Sequence, residues 1–225
     1  GVLNFITGSG SEVGDALVRN DVVKLVTLTG STRAGLEVFR AAADHCVAVR
    51  LELGGKAPFI VMEDTDIDRA VKAAVIAKFN NCGQICTCNE RMYIHESIYE
   101  KFVAGLIEKT SELVVGDPLN PDTFIGPKVN KAEVEKINQL VQKSVEQGGK
   151  VLLDMTPEMK PTQNGNWMYP VIIEVPNNDN ILMHDEIFGP VLPVMKVRDF
   201  NQALEFANDS EYGLSAYLFT NNVKN

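Results

Sequence analysis

The apolar residues of this chain fall into two alternating patterns. Short runs rich in valine, isoleucine, leucine and aromatic residues predict buried strands, which cover residues 22–29, 47–52, 58–62, 91–95, 151–154, 171–175, 191–197 and 214–220. Longer stretches with apolar residues at helical spacing predict helices over residues 33–44, 64–80, 96–113, 131–147 and 199–208. Because strands alternate with helices, the pattern predicts an α/β fold, with a parallel-rich sheet and flanking helices.

A glycine pair interrupts the pattern between the second and third predicted strands. Gly54 and Gly55 directly follow Leu53, and such pairs permit backbone angles and close approaches that other residues resist. We therefore expect a boundary in the organisation of the chain near residues 53–55.

The chain carries a net negative charge, and its basic residues do not cluster. Its 225 residues include 21 basic and 30 acidic side chains, which give a formal net charge of −9. Nucleic acids and anionic membranes attract clustered lysines and arginines, so this balance argues against either as the main partner. No run of about 18 or more apolar residues is present, so no transmembrane helix is predicted.

Three of the four cysteines, Cys82, Cys86 and Cys88, lie within seven residues of the chain. This clustering is unlike a secreted disulfide framework and fits a reducing cytoplasm better. A zinc site is an alternative, but zinc ligands usually come as two Cys-x-x-Cys pairs. The three histidines all lie outside the cluster, and we therefore predict no metal.

Cys86 and Glu52 are the candidate catalytic residues. Cys86 lies in a glycine- and amide-rich segment, residues 80–91 with the sequence NNCGQICTCNER, 34 residues after Glu52. A thiolate attacks carbonyl carbons well, and a carboxylate can activate the water that releases the product. Leu51 and Leu53 are expected to give the carboxylate an apolar setting that makes it a stronger base. The alternatives are a buried structural cysteine and a glutamate paired with a lysine.

Six motifs in order along the chain resemble those of the NAD(P)-dependent aldehyde dehydrogenase superfamily. They are TGST at 29–32, ELGGK at 52–56, GQIC at 83–86, GP at 126–127, EIFGPV at 186–191 and YGLS at 212–215. The resemblance extends over the whole chain, and the form NxGQxCxCxER is most similar to the lactaldehyde and glycolaldehyde dehydrogenases. It implies oxidation of an aldehyde to a carboxylic acid through a thiohemiacetal and a thioester on Cys86, with Glu52 as the general base for hydrolysis.

The resemblance also implies which residues bind the cofactor, NAD or NADP. Glu186 matches the glutamate that binds the nicotinamide ribose, Phe188 matches the aromatic residue that packs nearby, and Leu53 belongs to the same set. Without the resemblance, Glu186 reads as part of an acidic loop before a strand.

The remaining cofactor residues lie in two glycine-containing turns. Gly30 and Ser31 stand at a strand-to-helix turn, where free backbone N–H groups suit a pyrophosphate, although Ser31 could simply cap the helix. Gly8 is implied to lie near the adenine side of the cofactor. By itself, its segment reads as a turn before a helix.

Further expectations concern the whole protein. The resemblance implies that residues 1–52 are the C-terminal part of an NAD(P)-binding domain and that residues 53–225 are most of the catalytic domain. The chain then corresponds to about half of a family subunit, which alone is expected to be inactive, and the full-length parent is expected to form a homo-oligomer.

Several functions remain open from the sequence. The best-supported substrate is a small 2-hydroxyaldehyde such as lactaldehyde. An acylating enzyme that passes the thioester to coenzyme A tends to lack the glutamate present here as Glu52. A relative without activity that serves as a binding or assembly module is the alternative from a different functional class.

Overall fold

The computed structural model describes residues 1–157 and 165–224. It divides into two compact units, Gly1–Gly54 and Gly55–Asn225. The assignment of a cofactor-binding domain and a catalytic domain to the two parts of the chain stays a prediction.

The first unit is a small parallel α/β element. Its elements in chain order are a π-helix at Gly10–Gly14, α1 at Asp15–Val18, β1 at Leu25–Thr29, α2 at Thr32–Ala43 and β2 at Ala48–Glu52. Strands β1 and β2 pair in parallel, from Leu25 opposite Ala48 to Thr29 opposite Glu52. A small core of Val18, Ala41 and Ala42 joins the helices to the strands.

The second unit is built around a six-stranded sheet. Its strands are β3 at Ala57–Val61, β4 at Asn89–His95, β5 at Lys150–Asp154, β6 at Val171–Glu174, β7 at Val191–Val197 and β8 at Tyr217–Phe219. Their order across the sheet is β5-β6-β7-β4-β3-β8. Every neighbouring pair is parallel except β5 and β6, which are antiparallel. The predicted α/β fold with a parallel-rich sheet is therefore confirmed.

Helices connect and cover the strands of this sheet. They are α3 at Ile67–Phe79, a 3₁₀ helix at Asn80–Gly83, α4 at Tyr99–Ser111, α5 at Lys131–Glu146, α6 at Ile181–His184 and α7 at Phe200–Asn208. Helices α3 and α4 pack against each other and both contact β4, whereas α7 contacts β3 and β7.

Burial of the central strands explains their composition. All five residues of β3 are buried, and in β4 only the last residue, His95, is partly exposed. Strands covered on both faces read as continuous apolar runs rather than alternating ones. Glu90 and Arg91 are exceptions in β4, because they are charged and yet 2% and 1% exposed.

Side-chain caps fix where three of the longer helices begin. Asp66, Asn130 and Asp199 each accept a hydrogen bond from the backbone N–H three residues later, at 3.1, 2.9 and 2.9 Å. Such caps satisfy N–H groups that have no partner within the helix. They explain why the helix predicted from residue 64 begins at Ile67 instead.

Other element boundaries also differ from the sequence prediction. The first strand begins at Leu25 rather than at residue 22, and the helix predicted from residue 96 begins at Tyr99 after a turn. The last strand is limited to Tyr217–Phe219, because only these residues pair with β3. The short helix α6 and the 3₁₀ helix were not predicted, since elements of four residues are too short to show a periodicity.

No helix among the described residues is long and apolar enough to cross a membrane.

A substitution at Phe59 tests the assigned core of the second unit. Its ring is 0% exposed and lies 5.5 Å from the ring of Tyr217 and 4.9 Å from that of Phe219, between centroids. We expect Phe59→Ala to lower the free energy of unfolding by about 3–5 kcal/mol, because it leaves a cavity. Urea unfolding measures this loss, and the control Ile76→Ala, at a helix position that is 57% exposed, should stay within about 1 kcal/mol. Equal losses in the two variants would contradict the assigned core.

Candidate active site

The turn that carries Cys86 has an unusual backbone. Asn81, Cys82 and Gly83 have φ angles of 49°, 58° and 70°, all in the left-handed region. Each non-glycine residue in that region costs on the order of 1 kcal/mol. Contacts from the surrounding chain must therefore hold the turn in place.

Gln84 supplies several of those contacts. Its side-chain Nε2 donates to the carbonyls of Asn81 at 3.1 Å and Pro127 at 3.4 Å. Its Oε1 accepts from the N–H of Val129 at 2.9 Å. The amide of Gln84 therefore joins the Cys86 turn to the segment 127–129.

Two glycines let other segments approach the turn closely. A Cβ on Gly55 would lie 2.3 Å from the carbonyl oxygen of Cys86, and a Cβ on Gly83 would lie 2.3 Å from the carbonyl oxygen of Gly189. Neither position has room for a side chain. The hydroxyl of Tyr217 donates to the carbonyl of Thr87 at 2.6 Å and holds the far side of the turn.

Among the three clustered cysteines, Cys86 alone is partly exposed. Cys82 and Cys88 are buried, and burial raises the pKa of each thiol to about 11. The Cys88 thiol also donates to the carbonyl of Lys78 at 3.4 Å. Both buried thiols therefore stay protonated near neutral pH, and Cys86 is the accessible sulfur of the turn.

A buried carboxylate beneath the turn connects three segments of the second unit. Glu90 Oε1 contacts the ammonium of Lys78 at 2.9 Å, and Oε2 contacts that of Lys56 at 3.0 Å. Oε2 also accepts from the N–H of Ile187 at 2.7 Å. Lys56 further donates to the carbonyl of Asp185 at 2.5 Å. Glu90 thus links the end of α3, the segment after Gly55 and the segment 185–187.

Burial and charge compete within this network. Burial lowers the pKa of Lys56 to about 8, although Glu90 opposes the shift. For Glu90, burial alone would raise the pKa, but Lys78, Lys56 and the N–H of Ile187 together hold it below its ordinary value. The network therefore consists of one ionised carboxylate and two ammonium groups that depend on it.

Glu186 and Phe188 lie on the segment that this network holds. Glu186 Oε1 accepts from the N–H of Gly55 at 2.8 Å, and burial raises the pKa of this half-buried carboxyl group. Phe188 has a φ of 55°. The structure thus brings Cys86, Gly55, Glu186 and the turn before Phe188 into one connected cluster.

Two lysines in this cluster were missed by the sequence analysis. Lys136 donates to the carbonyl of Glu186 at 3.0 Å. Lys128 donates to the carbonyl of Phe188 and lies over its ring. Only the nearby motif at residues 126–127 pointed toward this segment. Nothing in the sequence indicated that Lys128 would be buried or that the exposed Lys136 would reach the carbonyl of Glu186.

Glu52, Gly30 and Ser31 lie in the first unit, at the carboxyl ends of its two parallel strands. The N–H of Gly30 donates to the carbonyl of Glu52 at 3.0 Å. Glu52 is exposed there, so Leu51 and Leu53 do not cover it as expected. The convergence of Glu52 with Cys86 stays a prediction.

Ser31 is the N-cap of α2, since its hydroxyl oxygen accepts from the N–H of Ala34 at 3.2 Å. The capping alternative is therefore present, and it leaves the hydroxyl hydrogen as a donor. A Cβ built on Gly30 would be in ordinary van der Waals contact with Ala34 and Leu28, whose nearest atoms are 3.9 Å away. The backbone N–H groups at the N-terminus of α2 suit the approach of a phosphate group.

Gly8 is exposed and directly precedes Ser9, which caps the π-helix. A Cβ on Gly8 would lie 2.2 Å from Cγ2 of Val13. A cleft of about 480 Å³ follows between α1 and α2, with Gly14 and Val38 among its lining residues. Its volume falls in the usual range of ligand pockets.

No group of three or more histidine, cysteine, aspartate or glutamate side chains in residues 1–157 and 165–224 is arranged to hold a metal ion.

Comparisons with known proteins identify relatives along the entire chain. Residues 1–225 match the model described as the aldehyde dehydrogenase family. The chain is 44% identical over its whole length to a 3,6-anhydro-alpha-L-galactose dehydrogenase from a Vibrio species, of which it covers 47%. Over 98% of its length it is 41% identical to a D-glyceraldehyde dehydrogenase (NADP(+)) from Thermoplasma acidophilum, of which it covers 45%.

A solved enzyme structure has the same fold as this chain. Lactaldehyde dehydrogenase from Escherichia coli superimposes with a TM-score of 0.92 at 39% identity, over 97% of this chain and 46% of that one. The chain spans about half the length of the relatives it matches.

Glu90 tests the buried network. Glu90→Gln removes the one negative charge that faces both lysines, and we expect the free energy of unfolding to fall by about 3–5 kcal/mol. Urea unfolding followed by the fluorescence of Trp167, the chain's one tryptophan, measures the change.

A matched control uses a surface pair of the same kind. Glu100 contacts Lys196 at 2.9 Å, but its side chain is 84% exposed, so Glu100→Gln should cost less than about 1 kcal/mol. A Glu90→Gln variant as stable as this control would rule out the buried pairing.

Proposed function

The chain belongs to the aldehyde dehydrogenase family, and we propose that its protein oxidises an aldehyde to a carboxylic acid with NAD or NADP, through a thioester on Cys86. One observation carries the assignment of the nucleophile. Cys86 is the accessible thiol of a turn whose other two cysteines are buried and protonated.

The reaction begins with attack of the Cys86 thiolate on the aldehyde carbon. A carbon–sulfur bond forms, and negative charge develops on the former carbonyl oxygen. The backbone N–H of Cys86 is a donor for that oxygen, and one such donor typically contributes about 3 kcal/mol to the barrier. A nicotinamide cofactor held by Glu186, Phe188 and Leu53 would supply the hydride acceptor, and loss of hydride from the thiohemiacetal carbon would leave a thioester on Cys86.

Glu52 then acts as the general base. It takes a proton from water, whose oxygen attacks the thioester carbon; the carbon–sulfur bond breaks and the acid leaves. The Cys86 thiolate is regenerated, and the proton remains on Glu52 until solvent removes it. A carboxylate at this point of the family's pattern favours hydrolysis over transfer of the acyl group to coenzyme A.

The nicotinamide end of the cofactor is assigned to Glu186, Phe188 and Leu53. A carboxylate accepts hydrogen bonds from two ribose hydroxyls well. Because Gly55 already holds Oε1 of Glu186, the other oxygen is the one directed to the ribose. The ring of Phe188 supplies an apolar surface beside it.

The phosphate and adenine ends are assigned to Gly30, Ser31 and Gly8. The N-terminus of α2 offers backbone N–H groups and a partial positive charge to a pyrophosphate, and the Ser31 hydroxyl adds a donor. Gly8 and the cleft that follows it are assigned to the adenine side.

The substrate class is a small 2-hydroxyaldehyde such as lactaldehyde. Similar proteins include D-glyceraldehyde and lactaldehyde dehydrogenases, and both aldehydes carry a hydroxyl next to the aldehyde carbon. Four free cysteines, three of them clustered, fit a reducing compartment, which supports the cytoplasm as the location. We expect the whole protein to be a homo-oligomer.

Thiol reactivity tests the nucleophile on this chain. With iodoacetamide near neutral pH, we expect Cys86 to be alkylated faster than Cys46, Cys82 and Cys88. The last two are buried with pKa values of about 11, so little thiolate is present. Peptide mass spectrometry gives the four rates. The same rate at Cys86 and the exposed Cys46 would mean that the turn does not activate its thiol.

Steady-state and rapid kinetics of the full-length protein test the two roles. We expect Cys86→Ala to abolish NAD(P)H formation from lactaldehyde, whereas Cys46→Ser retains it. In Glu52→Gln a first turnover should still produce NAD(P)H, but release of the acid should slow by about 10²–10⁴-fold, because the base is lost.

The control for Glu52 is Glu108→Gln, an exposed carboxylate on α4, which should turn over normally. Full turnover in Glu52→Gln would remove Glu52 from its role. If no aldehyde tested gives NAD(P)H with the unmodified protein, a binding or assembly module becomes the better description.

A further inference from the structure

Lys128 is a buried cation with an unusual set of contacts. It is 2% exposed, and burial lowers the pKa of its ammonium group. Within residues 1–157 and 165–224, no carboxylate oxygen forms an ion pair with it, whereas the buried Lys56 and Lys78 both contact Glu90. The nearby Cys82 is a protonated thiol at neutral pH and offers no negative charge. Burial of an ammonium group is costly unless specific contacts compensate it.

Among the described residues, the hydrogen bond and the ring contact of the ammonium both go to Phe188. The Nζ of Lys128 donates to the carbonyl oxygen of Phe188. It also lies 5.4 Å from the centroid of the Phe188 ring, within the distance for a cation–π interaction. One side chain therefore contacts both the backbone and the ring of the same residue.

Phe188 needs such support because its backbone is strained. Its φ of 55° lies in the left-handed region, which a bulky residue rarely adopts. The next residue, Gly189, is closely packed by its neighbours. A Cβ there would lie 2.4 Å from Cδ1 of Ile137, and its carbonyl oxygen lies against Gly83.

Lys128 is itself held from both sides. Its N–H donates to the carbonyl of Asn166 at 2.9 Å. The residues on either side of it, Pro127 and Val129, are bound by the side chain of Gln84 at 3.4 and 2.9 Å. The ammonium is thus positioned from the same turn that carries Cys86.

We propose that Lys128 is a positioning residue that holds the strained backbone and the ring of Phe188, and thereby sets the affinity for the nicotinamide cofactor without touching it. The proposal rests on the proposed function, in which Phe188 packs beside the nicotinamide. It assigns a role to a lysine that none of the chemical steps uses.

Cofactor binding by the full-length protein is the first test. We expect Lys128→Met to raise the Kd and the KM for NAD⁺ or NADP⁺ by about ten-fold, while kcat at saturating cofactor changes less than two-fold. Lys128→Arg keeps the cation and should restore most of the affinity. Lys131→Met, which removes a lysine that is 83% exposed in the same segment, should change nothing.

Two patterns of altered kinetics would overturn the proposal. One is a loss of kcat in Lys128→Met with an unchanged KM for the cofactor, which indicates a structural role only. The other is failure of Lys128→Arg to recover affinity although it is as stable as the unmodified protein.

A cycle of variants tests the contact with Phe188 without the cofactor. Glycine adopts a positive φ without strain, so Phe188→Gly removes both the ring and the need for support. We expect Lys128→Met to lower the urea midpoint of the unmodified protein, and to lower that of Phe188→Gly clearly less. Equal shifts in both backgrounds would overturn the contact.

Cofactor binding and the variant cycle together distinguish a failure of the proposed function from a failure of the role proposed for Lys128. If the unmodified protein binds neither NAD⁺ nor NADP⁺, the proposed function fails, and the cofactor role of Lys128 fails with it, whatever the cycle gives. If the unmodified protein binds cofactor but Lys128→Met binds it equally well, only the role of Lys128 fails.

Discussion

One buried carboxylate, that of Glu90, holds the candidate active site together. It contacts two buried ammonium groups and one backbone N–H, and these belong to three segments that are distant in sequence. Each ammonium on its own would be costly to bury. With Glu90 between them, Lys56 fixes the segment after Gly55, Lys78 fixes the end of α3, and Ile187 fixes the segment that carries Glu186 and Phe188. The network stabilises the site because loss of Glu90 would leave two buried ammonium groups without a negative partner.

Close backbone contacts add the precision that charge alone does not supply. Gly55 lies against the carbonyl of Cys86, and Gly83 lies against the carbonyl of Gly189, at distances that exclude any side chain. Both contacts restrict the turn around the accessible thiol. Preorganised groups of this kind lower a barrier because they need no rearrangement during the reaction. The strained angles at Asn81 and Phe188 are tolerated for the same reason, since the surrounding contacts leave the chain no cheaper arrangement.

Much of the fold was readable from the sequence, because it depends on local patterns. The apolar runs gave the central strands, since strands buried on both faces need apolar side chains at every position. The helix predicted from residue 131 begins there, after its cap Asn130. Asp66 was placed inside the helix predicted from residue 64, but it is the cap before Ile67. The last strand was predicted too long, because pairing with β3 limits it to Tyr217–Phe219 and that partner is more than 150 residues away. Motifs singled out Cys86 and Glu186 as candidate residues, which stay predictions, yet the lysines that contact the segment of Glu186 were not visible. A lysine looks the same in sequence whether it is in solvent or, like Lys78 and Lys128, directed into the core.

The dependence of the site on Glu90 can be measured directly by hydrogen–deuterium exchange of Glu90→Gln against the unmodified protein, under conditions where both remain folded. Peptides that contain Lys56, Lys78 and Ile187 should all exchange faster in the variant, because one carboxylate contacts all three segments. Peptides of the first unit, such as β1, should exchange unchanged. Faster exchange confined to the peptide that contains residue 90, with these three segments unaffected, would contradict a shared support and would show that the segments are held independently.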